Sequence, residues 1–286
     1  MRRACAAVFI VALTVGSAAA VDVTQCGQYV APGETGVLQG DLVCGTAAPG
    51  LCADCTTPTC LARVNMPCTD GADCVALGAG AQCVGVGVRL GNRALLDLNG
   101  FSIAGALGDQ PAATVFCDGR CELLGPGEVR GGAQWGVFGR RVRASSLTVR
   151  DGPVGITARY VKLDGVIVTG NVGGVDTFRL TADDCSFTSN TNAFGARGKS
   201  IRGTNIVASD NLYGLEAQVI RVVGITANGN MLDGVHGTRV VLDGGTVTGN
   251  GQADIASVVR PRLTGITCGS SANLSAGGTW GVCSGD

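Results

Sequence analysis

VKLDGVIVTGN at residues 161–171 and VVLDGGTVTGN at residues 240–250 differ at three of eleven positions, although 79 residues lie between their starts. Repetition at such a distance calls for a search for a fixed period. The landmark is the asparagine that ends each phrase: Asn171, Asn190, Asn211, Asn230 and Asn250 follow one another at steps of 19, 21, 19 and 20 residues. Written backwards from each asparagine, the units read VGITARYVKLDGVIVTGN, GGVDTFRLTADDCSFTSN, AFGARGKSIRGTNIVASDN, GLEAQVIRVVGITANGN and GVHGTRVVLDGGTVTGN. Inside each unit apolar residues alternate with polar ones, which is the two-residue period of a strand. Val161, Leu163, Val166 and Val168 have counterparts in Leu180, Ala182, Cys185 and Phe187. The columns continue through Ile201, Ile206 and Ala208, through Ile220, Val222, Ile225 and Ala227, and through Val240, Leu242 and Val247. Three short strands per unit of about twenty residues, stacked in parallel, place these columns in a common bore. The expected fold is all-β: a parallel β-helix, because one coil cannot bury its own apolar side.

Looser coils precede these, in VGVRLGNRALLDLNGFSIAG and GVFGRRVRASSLTVRDGP, with residues 111–134 between them. The recurring Gly and Asn read as the bend after the third strand. Asparagine tolerates a left-handed backbone there, and its amide can bond to the asparagines above and below. Cys185 falls on an inward column and reads as a buried free thiol.

The ends and the composition set the context. MRRACAAVFIVALTVGSAAA has two arginines, an apolar run too short for a bilayer and a small-residue site, the pattern of a secretory signal with cleavage expected after Ala20. No later segment is apolar enough to cross a membrane, so a secreted, periplasmic or cell-surface protein is expected. Of 21 basic and 22 acidic residues, the first twenty positions hold two basic ones, so the remainder is near neutral and has no bulk attraction for nucleic acid. Fourteen cysteines less Cys5 leave thirteen. Six crowd one stretch (Cys52, Cys55, Cys60, Cys68, Cys74 and Cys83) and read as disulfides of an exported protein rather than a zinc site, since only one CxxC is present. Cys26 with Cys44, Cys117 with Cys121 and Cys268 with Cys283 are candidate local pairs among several possible connectivities. The resulting division is a signal peptide over 1–20, an N-terminal cap segment over 21–44, a Cys-rich insert over 45–83, the parallel β-helix over 84–268 and a C-terminal cap over 269–286.

The repeat, with LLDLNGFSIAG at its entry, resembles the right-handed parallel β-helix proteins of the pectate-lyase-like superfold. That resemblance implies the right-handed coil. It also implies a choice between proteins that bind, cleave or epimerise polysaccharides and proteins that serve as structural or adhesive cell-surface β-helices. The polygalacturonase pattern of that superfold is not matched by the DD at 183–184, and no Asp-Pro-His epimerase signature is present.

Alternation also fixes what faces outward. One outward column of the first strand is Phe138, Thr157, Asp176, Arg197, Glu216 and His236; the next is Arg140, Arg159, Phe178, Lys199, Gln218 and Thr238. The middle strand presents a base in every coil: Arg141 with Arg143, Lys162, Arg179, Arg202, Arg221 and Arg239. Asp164, Asp183 and Asp243 share one slot beside them. Coils recur at nearly the spacing of sugars in an extended chain, and guanidinium forks suit a row of carboxylates or sulfates. Arg143, Arg159, Lys162, Lys199, Arg202, Arg221 and Arg239 are therefore candidate binding residues for an acidic polysaccharide; the alternative is a solvated face of Arg–Asp surface pairs.

His236, Glu216, Arg197 and Asp176 form a candidate catalytic set for a lyase or epimerase acting on uronate glycans. His236 or Arg197 would be the base, and Arg197 or Lys199 the neutralising cation. Glu216 or Asp176 would be the acid or a calcium ligand, calcium being the one cofactor the residues suggest. Ordinary surface polarity is the competing account. The chain is expected to act as a monomer.

Overall fold

The computed structural model describes residues 20–44, 50–54, 67–68, 81–105 and 113–286. Among them there is no helix, and outside the Cys-rich insert the strands stack rung upon rung in parallel. The repeat phrases lie where the period puts them. The slot of Asp164 continues through Asp183, Thr204, Val223 and Asp243, each the direct partner of the next. Every residue assigned above to an inward column of the five repeat units is at most 3% exposed. They form one continuous apolar core that reaches from Val23 to Cys268.

The expected three strands are merged. Val154–Asp164 carries the first two and Ile167–Thr169 the third, while Phe194–Val207 runs through all three. The long strand bends where its register steps over one outward residue: Ala158 pairs with Thr177 and Tyr160 with Arg179, with Arg159 and Phe178 at the corner. A second corner follows the middle strand and is held by left-handed residues at Ser146, Gly165, Asp184, Asn205, Gly224, Gly244 and Gly265, with φ between 51° and 72°. This places Asp184 of the DD pair in a turn, where Asn205 Nδ2 donates to its carboxylate at 2.8 Å.

The third corner corrects one expectation. The left-handed residue there is not the repeated asparagine but the one before it: Gly170, Ser189, Asp210, Gly229 and Gly249 have φ of 56–67°. The asparagine points inward and builds a ladder. Nδ2 donates to the next Oδ1 from Asn171 to Asn190, Asn190 to Asn211, Asn211 to Asn230 and Asn230 to Asn250, at 3.1, 3.1, 3.2 and 2.8 Å. Each Oδ1 also accepts the backbone N–H of the asparagine before it, so no amide atom of this ladder is left unpaired. Asp254 ends the row: its Oδ1 accepts Asn250 Nδ2 at 2.8 Å while its Oδ2 accepts the N–H groups of Gly269 and Ser270.

The stack extends past both expected ends. Gln28–Val30, Thr35–Leu38 and Leu42–Val43 pair in parallel with the coil over 88–104, so the N-terminal segment is itself a coil of the solenoid. At the other end Ser271–Asn273 lies on Ile255–Ser257, and Trp280 Nε1 donates to Ser257 O at 3.1 Å. Trp280 thus closes this end of the stack, whereas Trp135 is buried in mid-stack between Ala113 and Val154, with its ring 4.4 Å from Phe138.

Disulfides join Cys26 to Cys44, Cys117 to Cys121 and Cys268 to Cys283. Backbone strands at Gly50–Asp54, Pro67–Cys68 and Ala81–Gly85 pair in antiparallel fashion; the rest of the Cys-rich insert, and the pairing of its cysteines, fall outside the described residues. Cys185 is free and buried on its inward column, and burial pushes its thiol up to about 11. It is expected to stay unreactive toward an aromatic disulfide reagent at pH 8 in the native protein and to react at once in denaturant, because only the thiolate attacks.

Candidate functional site

The corner between the first two strands carries two surfaces of different character. On the first, the register sorts the basic residues into columns. Arg120, Arg141, Tyr160 and Arg179 are successive partners in one; Arg143, Lys162, Thr181, Arg202 and Arg221 are successive partners in the other. Arg239 pairs with Val219 and so returns to the column of Arg141 and Arg179, well beyond Arg141 along the axis. At the corner, Arg140, Arg159 and Lys199 project outward and are exposed.

A recess of about 320 Å³ is lined by Arg120, Arg141, Arg143, Tyr160, Lys162 and Arg179. Among the described residues, none of these cations has a carboxylate partner: the ion pairs lie at Arg89–Asp118, at Arg130 and Arg150 around Glu128 and Asp151, at Arg197–Asp176 and at His236–Asp233. The nearest carboxylates make no ion pair with them: Glu122 is the register partner of Arg143, Asp164 lies two residues beyond Lys162 on the same face, and Asp183 accepts from Thr204 Oγ1 at 2.9 Å. The cations are held apart by two outward aromatics. Tyr160 and Phe178 meet edge to face at 6.5 Å. Arg141 and Arg159 stand over Tyr160 at 5.3 and 5.5 Å; Arg159, Arg179 and Lys199 stand over Phe178 at 5.8, 5.8 and 5.2 Å.

The second surface holds the candidate catalytic set. Asp176, Arg197, Glu216 and His236 are direct partners on four consecutive rungs, as the period requires. A recess of about 300 Å³ lies over Arg197, Glu216, Gln218 and His236, with Val258 and Leu274 as its apolar wall. The members are not equivalent. Arg197 Nη2 binds Asp176 Oδ2 at 2.8 Å and its guanidinium lies 4.2 Å from the centre of the Phe194 ring. The Asp176 hydrogen bond raises its pKa further, so Arg197 stays a cation and is unsuited to act as a base. Asp176 and Glu216 are about 10 Å apart across two rungs, with that guanidinium between them, which does not suit a shared calcium ion. Among the described residues no group of three or more His, Cys, Asp or Glu side chains is placed to hold a metal ion.

His236 is better equipped than its sequence column suggests. Its Nδ1 lies 2.7 Å from Asp233 Oδ2, a carboxylate only 6% exposed whose Oδ1 accepts the Ala253 N–H. Tyr213 packs edge-on against the imidazole at 5.6 Å. Asp233 fixes the ring, leaves Nε2 as the nitrogen free for chemistry, and raises the imidazole pKa through the hydrogen bond, with a smaller contribution from the charge of Glu216. A raised pKa means that this pair stabilises the fold fully below about pH 6.5 and ceases to do so as pH climbs through the folded-state value. Asp233→Asn is expected to lower the His236 titration midpoint, read by NMR from the only histidine in the chain.

No protein-family model matches the chain, and no curated protein matches it. Among solved structures it is similar to the crystal structure of pectate lyase Pel9A, with a TM-score of 0.45 and 12% identity over 87% of this chain and 74% of that one. The parallel β-helix is read from the strand register itself.

Tyr160, Arg120, Asp233 and Tyr213 are absent from the residues singled out in the sequence. Tyr160 and Arg120 were findable, because they share the outward column of Arg141. Asp233 and Tyr213 lie at or before the start of the first strand, outside the alternating columns, and only a D-x-x-H spacing hinted at the first.

Proposed function

We propose that this chain is an exported β-helix that binds an acidic polysaccharide along its basic flank. The observation that supports this is the run of cations around Tyr160 and Phe178 with no carboxylate partner among the described residues. A bare surface would disperse or pair such charges; keeping them clustered and exposed is tolerable when a polyanion neutralises them. The columns lie along the solenoid axis, so an extended chain can lie on successive rungs. Affinity electrophoresis of the mature protein through gels containing acidic polysaccharides tests the reading. Retardation that Arg141→Ala with Lys162→Ala abolishes supports it. Migration identical to that in a neutral gel leaves the rival, a non-catalytic structural or adhesive cell-surface β-helix.

The His236–Asp233 pair favours a second reading, in which the bound chain is also modified. Nε2 of His236 would take the proton next to a uronic carboxyl. In a lyase, a carbon–carbon double bond then forms as the bond to the glycosidic oxygen breaks, and that oxygen takes a proton back from the imidazolium. In an epimerase, a proton returns to the opposite face. Lys199, two residues beyond Arg197 on its strand, would neutralise the carboxylate, since Arg197 already serves Asp176. Incubation with uronate polymers, followed by absorbance of the unsaturated product and by NMR for epimerisation, tests it. Activity that His236→Ala does not change would remove the residue from the mechanism.

A further inference from the structure

The density and width of the cationic strip say more about its ligand than its sign does. Four consecutive coils present Arg140, Arg141 and Arg143; Arg159 and Lys162; Arg179; and Lys199 and Arg202, all exposed. These are eight cations over three rung spacings, or about 14 Å. A sugar in an extended chain occupies about one rung, so a polymer with a single carboxylate per sugar brings three or four anions to this length. It also brings them in one line. The cations stand in three columns: Arg140, Arg159 and Lys199 at the corner, Arg141 and Arg179 in the middle, Arg143, Lys162 and Arg202 beyond. The outer columns are three residues apart along the strand, about 10 Å. Six of the eight are arginines, whose forks take two oxygens of a carboxylate or a sulfate at once. Tyr160 fills a middle position that lacks a cation, and Phe178 does the same at the adjoining corner.

We infer that the glycan this flank takes carries sulfate esters in addition to carboxylates, so that each sugar presents anions to more than one column. This rests on the acidic-polysaccharide reading above. The aromatic pair gives the sugar rings an apolar seat between the charged columns, which a polyanion without rings would not use.

Calorimetric titration of the mature protein in roughly 0.1 M salt, where charge pairs are only partly screened, tests the inference with four probes of matched length. These are heparin (sulfate and carboxylate), dextran sulfate (sulfate), polygalacturonate (carboxylate) and polyphosphate (no sugar). Heparin is expected to bind about 10-fold more tightly than polygalacturonate, two further exposed ion pairs being worth roughly threefold each, with dextran sulfate between them. Arg143→Gln with Lys162→Gln, which empties the outer column on two coils, should narrow that ratio; Tyr160→Ala should weaken heparin and leave polyphosphate unchanged. Polygalacturonate binding as tightly as heparin overturns the sulfate inference and leaves the acidic-polysaccharide reading standing. Polyphosphate matching heparin, with no effect of Tyr160→Ala, overturns the inference by making the strip a generic anion exchanger. Binding to none of the four removes both readings.

Discussion

Asn211→Ala is expected to lower the free energy of unfolding by roughly 4 kcal/mol, whereas Asn192→Ala, at an exposed position of the preceding turn, should change it by less than about 0.5. Asn211 is 1% exposed. Its Oδ1 accepts the backbone N–H of Asn190 at 2.9 Å and Nδ2 of Asn190 at 3.1 Å; its own Nδ2 donates to Phe187 O at 2.9 Å and to Asn230 Oδ1 at 3.2 Å. Alanine removes neither the burial nor the partners, so donors above and acceptors below are left facing an apolar gap. Each such orphan costs about 1–3 kcal/mol, partly relieved where a bifurcated neighbour remains. Urea denaturation followed by circular dichroism measures the loss. Asn211→Asp separates the amide from the mere presence of oxygen. A carboxylate keeps the acceptors but sets its second oxygen against Phe187 O and Asn230 Oδ1. It should therefore destabilise at neutral pH and recover in part as acid protonates the new carboxyl. A solenoid holds together through the interfaces of adjacent coils, so a break in mid-ladder should also broaden the transition.

That ladder shows how far the sequence could be read. The steps of about twenty residues placed Val161, Leu180, Ile201, Ile220 and Val240 in one buried column, and placed Asp176, Arg197, Glu216 and His236 above one another, because a strand's two-residue alternation leaves no freedom once the register is set. The three local disulfides were legible for a related reason, as short spacings put each pair within one coil or its edge. Turns were less legible. A left-handed corner accepts Gly, Asn, Asp or Ser, so Gly170, Ser189 and Asp210 share a conformation without sharing a residue type. The eye goes to the repeated asparagine, although its recurrence comes from the hydrogen bonds. Pairing among outward side chains was least legible of all. Arg197 turns to Asp176, and His236 to a buried Asp233 three residues away, choices made by side-chain length and corner geometry rather than by column. The formal charge of −1 gives no sign of the basic strip, since composition averages over faces that the coil keeps separate; the alternation is what brought out Arg143, Lys162 and Arg202.

Charge reversal on that strip should give the largest functional effect. In Arg141→Glu, Arg143→Glu and Lys162→Glu combined, three of the cations that line the recess become anions on two adjacent coils. An acidic chain then loses three ion pairs and meets three repulsions. With a lost pair and the repulsion that replaces it worth roughly tenfold together, affinity is expected to fall about 1000-fold, beyond detection for a micromolar ligand. The same change in Arg260, exposed near the C-terminal end, should leave affinity within about twofold. Two companion measurements separate recognition from damage. The triple variant should unfold no earlier than the parent, because the reversed side chains are exposed, have no carboxylate partners to lose among the described residues, and leave Val142, Val161 and Leu163 in the bore untouched. Raising the salt should weaken the parent's binding steeply and flatten the difference between parent and variant, since screening acts on the same attraction that the substitutions remove. Parent-like binding by the triple variant would mean that the cations are solvent ornaments of a spacer, and the function would then have to be sought on another face of the coil.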